Sequence, residues 1–264
     1  MSARVPAHAG TFYPADPAKL RASVQQYLDA APPPASPVPS APKAIIAPHA
    51  GYVYSAPIAA SAYKCLVPLR SIVHRVVLLG PAHHIFVRGL ALSSASAFAT
   101  PLGDVPIDAA AIEQIKSLPQ VKLSDDAHAP EHSLEVQLPF LQCVLEEFSL
   151  VPFAVGDVGA PQIAEVLDAL WGGPETLILI SSDLSHYHEY DTAKAIDQET
   201  ARAISLLRPQ EIAFEQACGC LSIRGLLLLA GKRSLTPHLL DLRSSGDTAG
   251  TRDRVVGYGA WAFC

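Results

Sequence analysis

A 264-residue chain that is 50% hydrophobic and 17% charged can bury a sizeable core, which excludes an extended disordered protein. Its formal net charge of -6 gives no electrostatic reason to bind nucleic acid or an acidic membrane surface, so we expect a small-molecule substrate or a protein partner. Five scattered cysteines without a CxxC pair, a start without signal-peptide character and no apolar run long enough to span a bilayer favour a cytoplasmic protein with reduced thiols.

The N-terminal part of the chain predicts a helix and a stiff connector ahead of the main sheet. Asp16 can cap a helix and Pro17 is pre-set for its first turn, so we expect a helix at 17–30. Six prolines in 31–42 exclude a helix or a strand there. Residues 1–30 are therefore expected to form an arm packed on a single domain that spans 1–264.

From residue 44 onward, apolar strand-like runs alternate with helix-like segments. This alternation predicts a single three-layer α/β/α domain with a mainly parallel central sheet. The expected strands are 44–47, 75–80, 89–93, 150–155, 176–181 and 255–263. The expected helices are one after Pro57 and those at 108–117, 133–147, 161–171, 191–206, 209–217 and 221–231.

Two of the expected parallel strands run into a proline and then a histidine. His49 follows the strand at 44–47, and His83 follows the strand at 75–80. Because neighbouring parallel strands end at the same edge of a sheet, where open α/β sheets bind ligands, both imidazoles could reach one metal ion. The alternative is an ordinary strand-end histidine bonded to a carbonyl. His84 is less favoured than His83, since adjacent residues in an extended segment point to opposite sides.

A third strand, at 176–181, also ends in polar residues. If the segment that follows forms one helical turn, Asp183 and His186 face the same way and could join the site. The alternative for Asp183 is a cap on the next helix. Cys218 precedes another expected helix and could be a reactive thiolate, although a buried structural cysteine is the favoured interpretation.

The most polar stretch of the chain contains His128 to His132, which spells the H-x-x-E-H pattern of some zinc proteases. That chemistry needs a continuous helix, and Pro130 argues that a helix only begins there. We therefore expect His128 to lie outside the helix, with Glu131 and His132 at its start and facing the site. An acidic residue at a helix N-terminus is also favourable in itself, which leaves a purely structural role open for Glu131.

Asp247, in a Ser-Gly-Asp turn, is the candidate anionic ligand. Together with His49 and His83 it would give two histidines and one carboxylate, a set that leaves open positions on Fe(II) for substrate and oxygen. Zinc accepts the same donors. The alternative is a tight loop without a ligand role. Arg243 could neutralise an anionic substrate or pair with a surface acid.

Several motifs, in order along nearly the whole chain, together resemble the Memo family, whose bacterial and archaeal members are labelled protein B of the AmmeMemoRadiSam system. The matching stretches are 9–14, 48–52 with Tyr54 and Ser55, 80–81 with His83 and His84, 131–135 with 137–139, 181–183 with His186, 218–219 and 245–247. Ala56 stands where the family usually has glycine.

The resemblance implies a fold similar to the class III extradiol ring-cleaving dioxygenases, which hold non-haem Fe(II) with two histidines and a carboxylate. It makes His49 and His83 ligands and puts Asp247 at the third position, where animal members have a cysteine. Fe(II) is the implied cofactor, with zinc or copper as alternatives, and the system label implies a functional link to a radical SAM protein. The groups expected to line the pocket and move protons are His132, Asp183 and His186.

Three functions stay open on the sequence. The first is a non-haem iron oxidoreductase or dioxygenase of unknown substrate. The second is a binding or adaptor protein that retains the pocket, since animal members of the family are described as adaptors. The third is a zinc-dependent hydrolase. The identity of the metal and the need for oxygen distinguish them.

Overall fold

The structure, a computed structural model, describes residues 2–33 and 41–264. Residues 34–40 of the predicted connector lie outside the described residues. The strands are β1 (Ala3–Arg4), β2 (Ala44–Ala47), β3 (Arg75–Pro81), β4 (Leu90–Leu92), β5 (Ala97–Thr100), β6 (Gly103–Pro106), β7 (Val121–Leu123), β8 (Ser149–Val155), β9 (Thr176–Ser181), β10 (His186–His188), β11 (Pro237–Ser244) and β12 (Val255–Phe263).

The α-helices account for most of the segments in which the sequence predicts them. They are α1 (Pro17–Ala30), α2 (Tyr52–Lys64), α3 (Ala109–Ile115), α4 (Asp125–His128), α5 (Leu138–Val144), α6 (Ala160–Ala169), α7 (Tyr190–Ser205) and α8 (Cys220–Lys232). The start of α1 is as expected, because the Asp16 side chain accepts a hydrogen bond from the backbone N–H of Lys19. None of the described helices is long and apolar enough to cross a membrane.

The main sheet has the order β10-β12-β2-β9-β3-β8-β4-β7, with β11 paired to β12. Its four central strands, β2, β9, β3 and β8, are parallel to their neighbours in that group. On either side the direction changes, since β12 is antiparallel to β2 and β4 is antiparallel to β8. The predicted α/β architecture is confirmed, with a parallel centre inside a mixed sheet. A separate small sheet has the order β1-β5-β6.

Each face of the main sheet has its own apolar core. In β2, Ile45 packs into the core formed with α1, α2 and α5, whereas Ile46 packs into the core formed with α3, α6, α7 and α8. Side chains on successive strand residues point to opposite faces, and both faces are covered, so the central strands are apolar throughout. Burying one side chain such as Ile45 stabilises the fold by about 1.5–3 kcal/mol. The predicted three-layer arrangement follows from this packing.

Three predicted helices differ from those observed. Helix α2 begins at Tyr52, so Pro57 lies inside it rather than before it. The helix expected at 133–147 is a 3-10 turn followed by α5, which has proline in its first turn. The helix expected at 209–217 is two short 3-10 turns, because the backbone between them is extended at Ile212 and Ala213.

The register of the central strands brings their polar ends together. Ala47, the last residue of β2, is paired with Ser181, the last residue of β9. In β3, Leu79 is paired with Ile180 of β9. The three segments that leave these strands therefore start from one edge of the sheet, where ligands bind in open α/β folds.

Candidate metal centre

Three histidines from separate segments converge at this edge. The ligand atoms of His49, His83 and His132 all lie within 4.8 Å of one another. The His83 and His132 rings stack with centroids 4.7 Å apart, and the His49 ring lies 5.3 Å from His83 and 5.5 Å from His132. Such a group could hold one metal ion, since imidazole nitrogens are common ligands of transition metals. The predicted convergence of His49 and His83 is thus observed, and His132 joins them.

Hydrogen bonds around Ser181 fix the proton on His49. The Ser181 hydroxyl donates its only hydrogen to the Ser133 carbonyl, 2.5 Å away. It must therefore accept from Nδ1 of His49 at 2.8 Å, as it does from the Gln137 amide at 2.7 Å. The hydrogen of His49 is on Nδ1, and Nε2 keeps a lone pair that could bind a metal. Burial, and then the charge of His83, lower the pKa of His49 to about 3, so its ring is neutral.

Glu131 orients the ring of His83, as Ser181 orients that of His49. One carboxylate oxygen accepts from Nδ1 of His83 at 2.9 Å and from the Ser133 N–H at 2.8 Å, and the other accepts from the His83 N–H at 2.6 Å. Burial alone would raise the pKa of Glu131, but the hydrogen bonds and charge of His83 outweigh it and hold the pKa low. An ionised carboxylate that fixes one imidazole nitrogen leaves the other for a metal.

His132 is the least satisfied member of the group. Its Nδ1 is buried and makes no hydrogen bond to any described residue, although a Glu131 oxygen lies 3.5 Å away. Burial, and then the proximity of His49, lower the pKa of His132 to about 3, so this ring is neutral too. Three imidazoles, two of them oriented by fixed partners and one with an orphaned nitrogen, fit a divalent transition metal.

Comparison with known proteins identifies the family of the chain. The sequence profile of the family described as Memo-like protein matches residues 4–262. The chain belongs to the Memo family. It is 35% identical over 279 residues to a MEMO1 family protein of Sulfolobus acidocaldarius, which covers 97% of each chain. It is also 35% identical over 272 residues to a MEMO1 family protein of Aquifex aeolicus, with 98% of each covered.

One solved structure supports the fold of this Memo-family chain. It is the crystal structure of an uncharacterized protein from Escherichia coli K12, with a TM-score of 0.51. The match covers 81% of this chain and 98% of the other, at 12% sequence identity. The likeness concerns the fold alone, and the names of the Memo relatives give no activity.

Asp183 and Cys218 lie beside His49 in this Memo-family chain. One oxygen of Asp183 accepts from the His49 N–H at 2.7 Å, and the other lies 4.0 Å from Nε2 of His49. Burial raises the pKa of Asp183 to about 6. The Cys218 sulfur lies 3.3 Å from Nε2 of His49, and burial raises the pKa of the thiol. Cys218 therefore lies at the site, although the sequence favoured a structural cysteine.

His186 lies close enough for its charge to act on the site, but it is not placed as predicted. No helical turn joins Asp183 to His186. Instead the Leu184 N–H donates to the Gly257 carbonyl at 2.8 Å, which extends the chain along β12 until β10 begins at His186. A positive charge on His186 would lower the pKa values of both His49 and Asp183.

Glu131 and His132 are in a loop rather than at a helix start, so the helix predicted to begin at Pro130 is wrong. Helix α4 ends at His128, and the next helical turn begins only at residue 135. His128 itself is buried, and its Nε2 donates to the Ala91 carbonyl at 2.9 Å. The position of His128 thus excludes a zinc-protease site of the H-x-x-E-H type. Sequence reasoning did not predict that Glu131 orients His83, because a favourable position at a helix N-terminus already explained this acidic residue.

Asp247 is placed apart from the histidine group. One of its oxygens accepts from the Tyr190 hydroxyl at 2.6 Å, and the other accepts from the N–H of Ser244 at 2.8 Å. It lines a separate cavity of about 220 Å³, together with residues that include Lys194. Its role as the third ligand stays a prediction. Arg243 pairs with Asp241 rather than with a free acid at the surface.

Proposed function

We propose that this Memo-family protein is a metal-dependent oxidoreductase that holds Fe(II) on His49, His83 and His132 and acts on a small-molecule substrate. The observation that carries the proposal is the convergence of these three imidazoles, whose ligand atoms lie within 4.8 Å of one another. Three imidazole donors leave open positions on an ion that prefers more than three ligands. Bound Fe(II) would supply Lewis-acid and one-electron chemistry at those positions.

The protein's own groups would prepare this site in advance. Ser181 and Glu131 hold the rings of His49 and His83 through Nδ1, so Nε2 of each could bind an ion, with the Cys218 sulfur 3.3 Å from Nε2 of His49. Holding ligands in one orientation before the ion arrives raises affinity, because less side-chain freedom is lost on binding. This preorganisation distinguishes the group from histidines that meet by chance on a surface.

Access to the site is from one side. The His49 side chain is 1% exposed, whereas those of His83 and His132 are 28% and 17% exposed. A substrate would therefore approach across His83 and His132, while His49 closes the inner side. The adaptor function has no comparable set of contacts in its favour among the described residues.

Asp183 is the group we propose for proton movement. Its second oxygen lies 4.0 Å from Nε2 of His49, next to the position that an ion on this nitrogen would take. Its first oxygen is fixed by the His49 N–H, so the second can hold or release a proton without losing that contact. His186 would tune this carboxylate through its charge rather than by direct contact.

Metal analysis of protein purified without oxygen tests the proposal. We expect close to one iron per chain, its loss in His49→Ala, and no change in the control His74→Ala, whose histidine is exposed and bonded to the Glu147 carbonyl. Metal that stays bound in His49→Ala, or protein that takes up no iron, would contradict the proposal. Zinc as the retained metal, with substrate hydrolysis that needs no oxygen, would move the function to a hydrolase.

A further inference from the structure

A second group of histidines lies just outside the first. The ligand atoms of His8, His84 and His132 also lie within 4.8 Å of one another. The ring of His132 lies 5.5 Å from that of His8 and 6.0 Å from that of His84. His84 is exposed, and His8 and His132 are half-buried. The two groups share only His132, so an outer triad at the surface adjoins the inner triad.

The hydrogen bonding of His8 prepares it as a ligand. Its Nε2 lies 2.8 Å from the Pro130 carbonyl. A carbonyl can only accept, so the hydrogen of the neutral ring is on Nε2, and Nδ1 keeps its lone pair. A backbone carbonyl that fixes one nitrogen of a histidine is a common support for metal binding through the other nitrogen.

The segment that carries His8 is anchored on the protein. The backbone N–H groups of Ala7 and His8 donate to the two oxygens of Glu135, each at 2.8 Å. Glu135 is fully buried and pairs with Arg4. The His8 ring also contacts Phe12 edge-on, with centroids 4.9 Å apart. His8 is thus held over the inner triad by contacts that do not use its Nδ1.

We propose that His8, His84 and His132 form a second metal site, which binds an incoming divalent transition metal ion and passes it to the inner triad. The outer site is weaker, since His84 is exposed. In the transfer, the bonds from the ion to His8 and His84 break and bonds to His49 and His83 form, while His132 stays bound. The oxidation state of the ion does not change. Binding at the outer site is independent of the proposed function, whereas the transfer depends on it.

Titration with Co²⁺ tests the outer site in the absence of the inner one. The double variant His49→Ala, His83→Ala is expected to bind one Co²⁺, with the visible absorption of a nitrogen-bound ion. Adding His84→Ala, or separately His8→Ala, should weaken this binding at least about 10-fold, and adding the control His74→Ala should not. If the double variant fails to fold, the single variant His83→Ala, whose side chain is partly exposed, replaces it.

Loading kinetics test the transfer in the otherwise unchanged chain. We expect His84→Ala to slow Co²⁺ uptake by the inner triad at least about 5-fold while leaving its equilibrium affinity unchanged, because the inner ligands are intact. Absence of Co²⁺ binding in the double variant, or binding that neither His84→Ala nor His8→Ala weakens, overturns the outer site. An unchanged loading rate overturns the transfer. Co²⁺ bound only by the outer triad overturns the proposed function and leaves the outer site standing.

Discussion

The histidine group and the Asp247 cavity both lie among polar residues that follow strands. The candidate ligand atoms of the two sites differ in what they contact. At the histidine group, protein partners hold Nδ1 of His49 and Nδ1 of His83, which leaves the lone pair of each ring on Nε2, and the Cys218 sulfur lies 3.3 Å from that of His49. At the Asp247 cavity, each carboxylate oxygen accepts a hydrogen bond, one from Tyr190 and the other from Ser244. A metal site needs several donors close together, and among the described residues the groups that meet this condition consist of histidines.

The same contrast separates two carboxylates. Glu131 is a buried acid whose bonds orient a ring that could bind metal. One oxygen of Asp247 accepts from Ser244 and closes its own turn, and the other accepts from Tyr190. Charge alone therefore does not distinguish a carboxylate that orients a histidine from one that closes a turn. The hydrogen-bond donors to each oxygen distinguish them.

The largest effect should come from removing a ligand. We expect His83→Ala to weaken metal binding on the order of 1000-fold, about 4 kcal/mol, because one of three donors is lost. Asp247→Ala should change it by less than about 3-fold, since the protein already satisfies that carboxylate. Calorimetric titration of both variants with Co²⁺ measures the difference. If Asp247→Ala weakens binding as much as His83→Ala, Asp247 is a ligand and the contrast fails.

The Asp247 cavity makes a prediction of its own through Asp197, which also lines it. Burial raises the pKa of Asp197 to about 6, against an ordinary value of 3.8. A raised pKa means that the folded state binds the proton more tightly than the unfolded state. The stability due to that proton is complete below about pH 4 and lost as the pH rises through about 6.

Asp197→Asn should therefore stabilise the protein above pH 6 by as much as about 3 kcal/mol, and by little below pH 4. The asparagine oxygen can still accept from the Ser185 N–H, which lies 3.0 Å from the aspartate. Urea unfolding at pH 4 and pH 8 gives the two free energies. The exposed Asp104→Asn is the control and should show no such gain. Equal stability of Asp197→Asn and the parent at pH 8 would contradict the prediction.

Sequence reasoning placed the strand ends correctly and the loops poorly, for a physical reason. Apolar runs fix which residues form the central strands, and parallel pairing then brings His49 and His83 to one edge. The loop that carries His132 has no such periodicity. Its shape depends on bonds between distant residues, such as Glu131 to the backbone of His83, which no local pattern encodes. The hydrogen bond from Tyr190 to Asp247 is of the same kind, because the two residues are 57 positions apart.

Glu131→Gln should weaken metal binding about 10- to 100-fold, because a neutral amide orients and polarises His83 less well. The side chain keeps its size, so the fold should persist. Glu135→Gln is the matched control: this acid is also buried, but it pairs with Arg4 and makes no contact with the inner triad that the described hydrogen bonds show. It should lower stability and leave the affinity of the inner triad for metal unchanged. Equal loss of affinity in the two variants would mean that Glu131 acts only through the fold.

The smallest effect concerns the turn that Asp247 closes. Asp247→Ala removes the acceptor for the Ser244 N–H and should lower the free energy of unfolding by about 1 kcal/mol, as loss of a cap does. Asp247→Asn keeps an acceptor oxygen and should lose less. Burial would raise the pKa of Asp247, but its bonds to Tyr190 and Ser244 lower it, so its contribution is present above the unfolded pKa and falls as the pH drops. Urea unfolding at pH 7 and pH 3 should therefore show the cost of Asp247→Ala only at the higher pH, and a cost that is equal at both would mean that the ionised carboxylate is not what closes the turn.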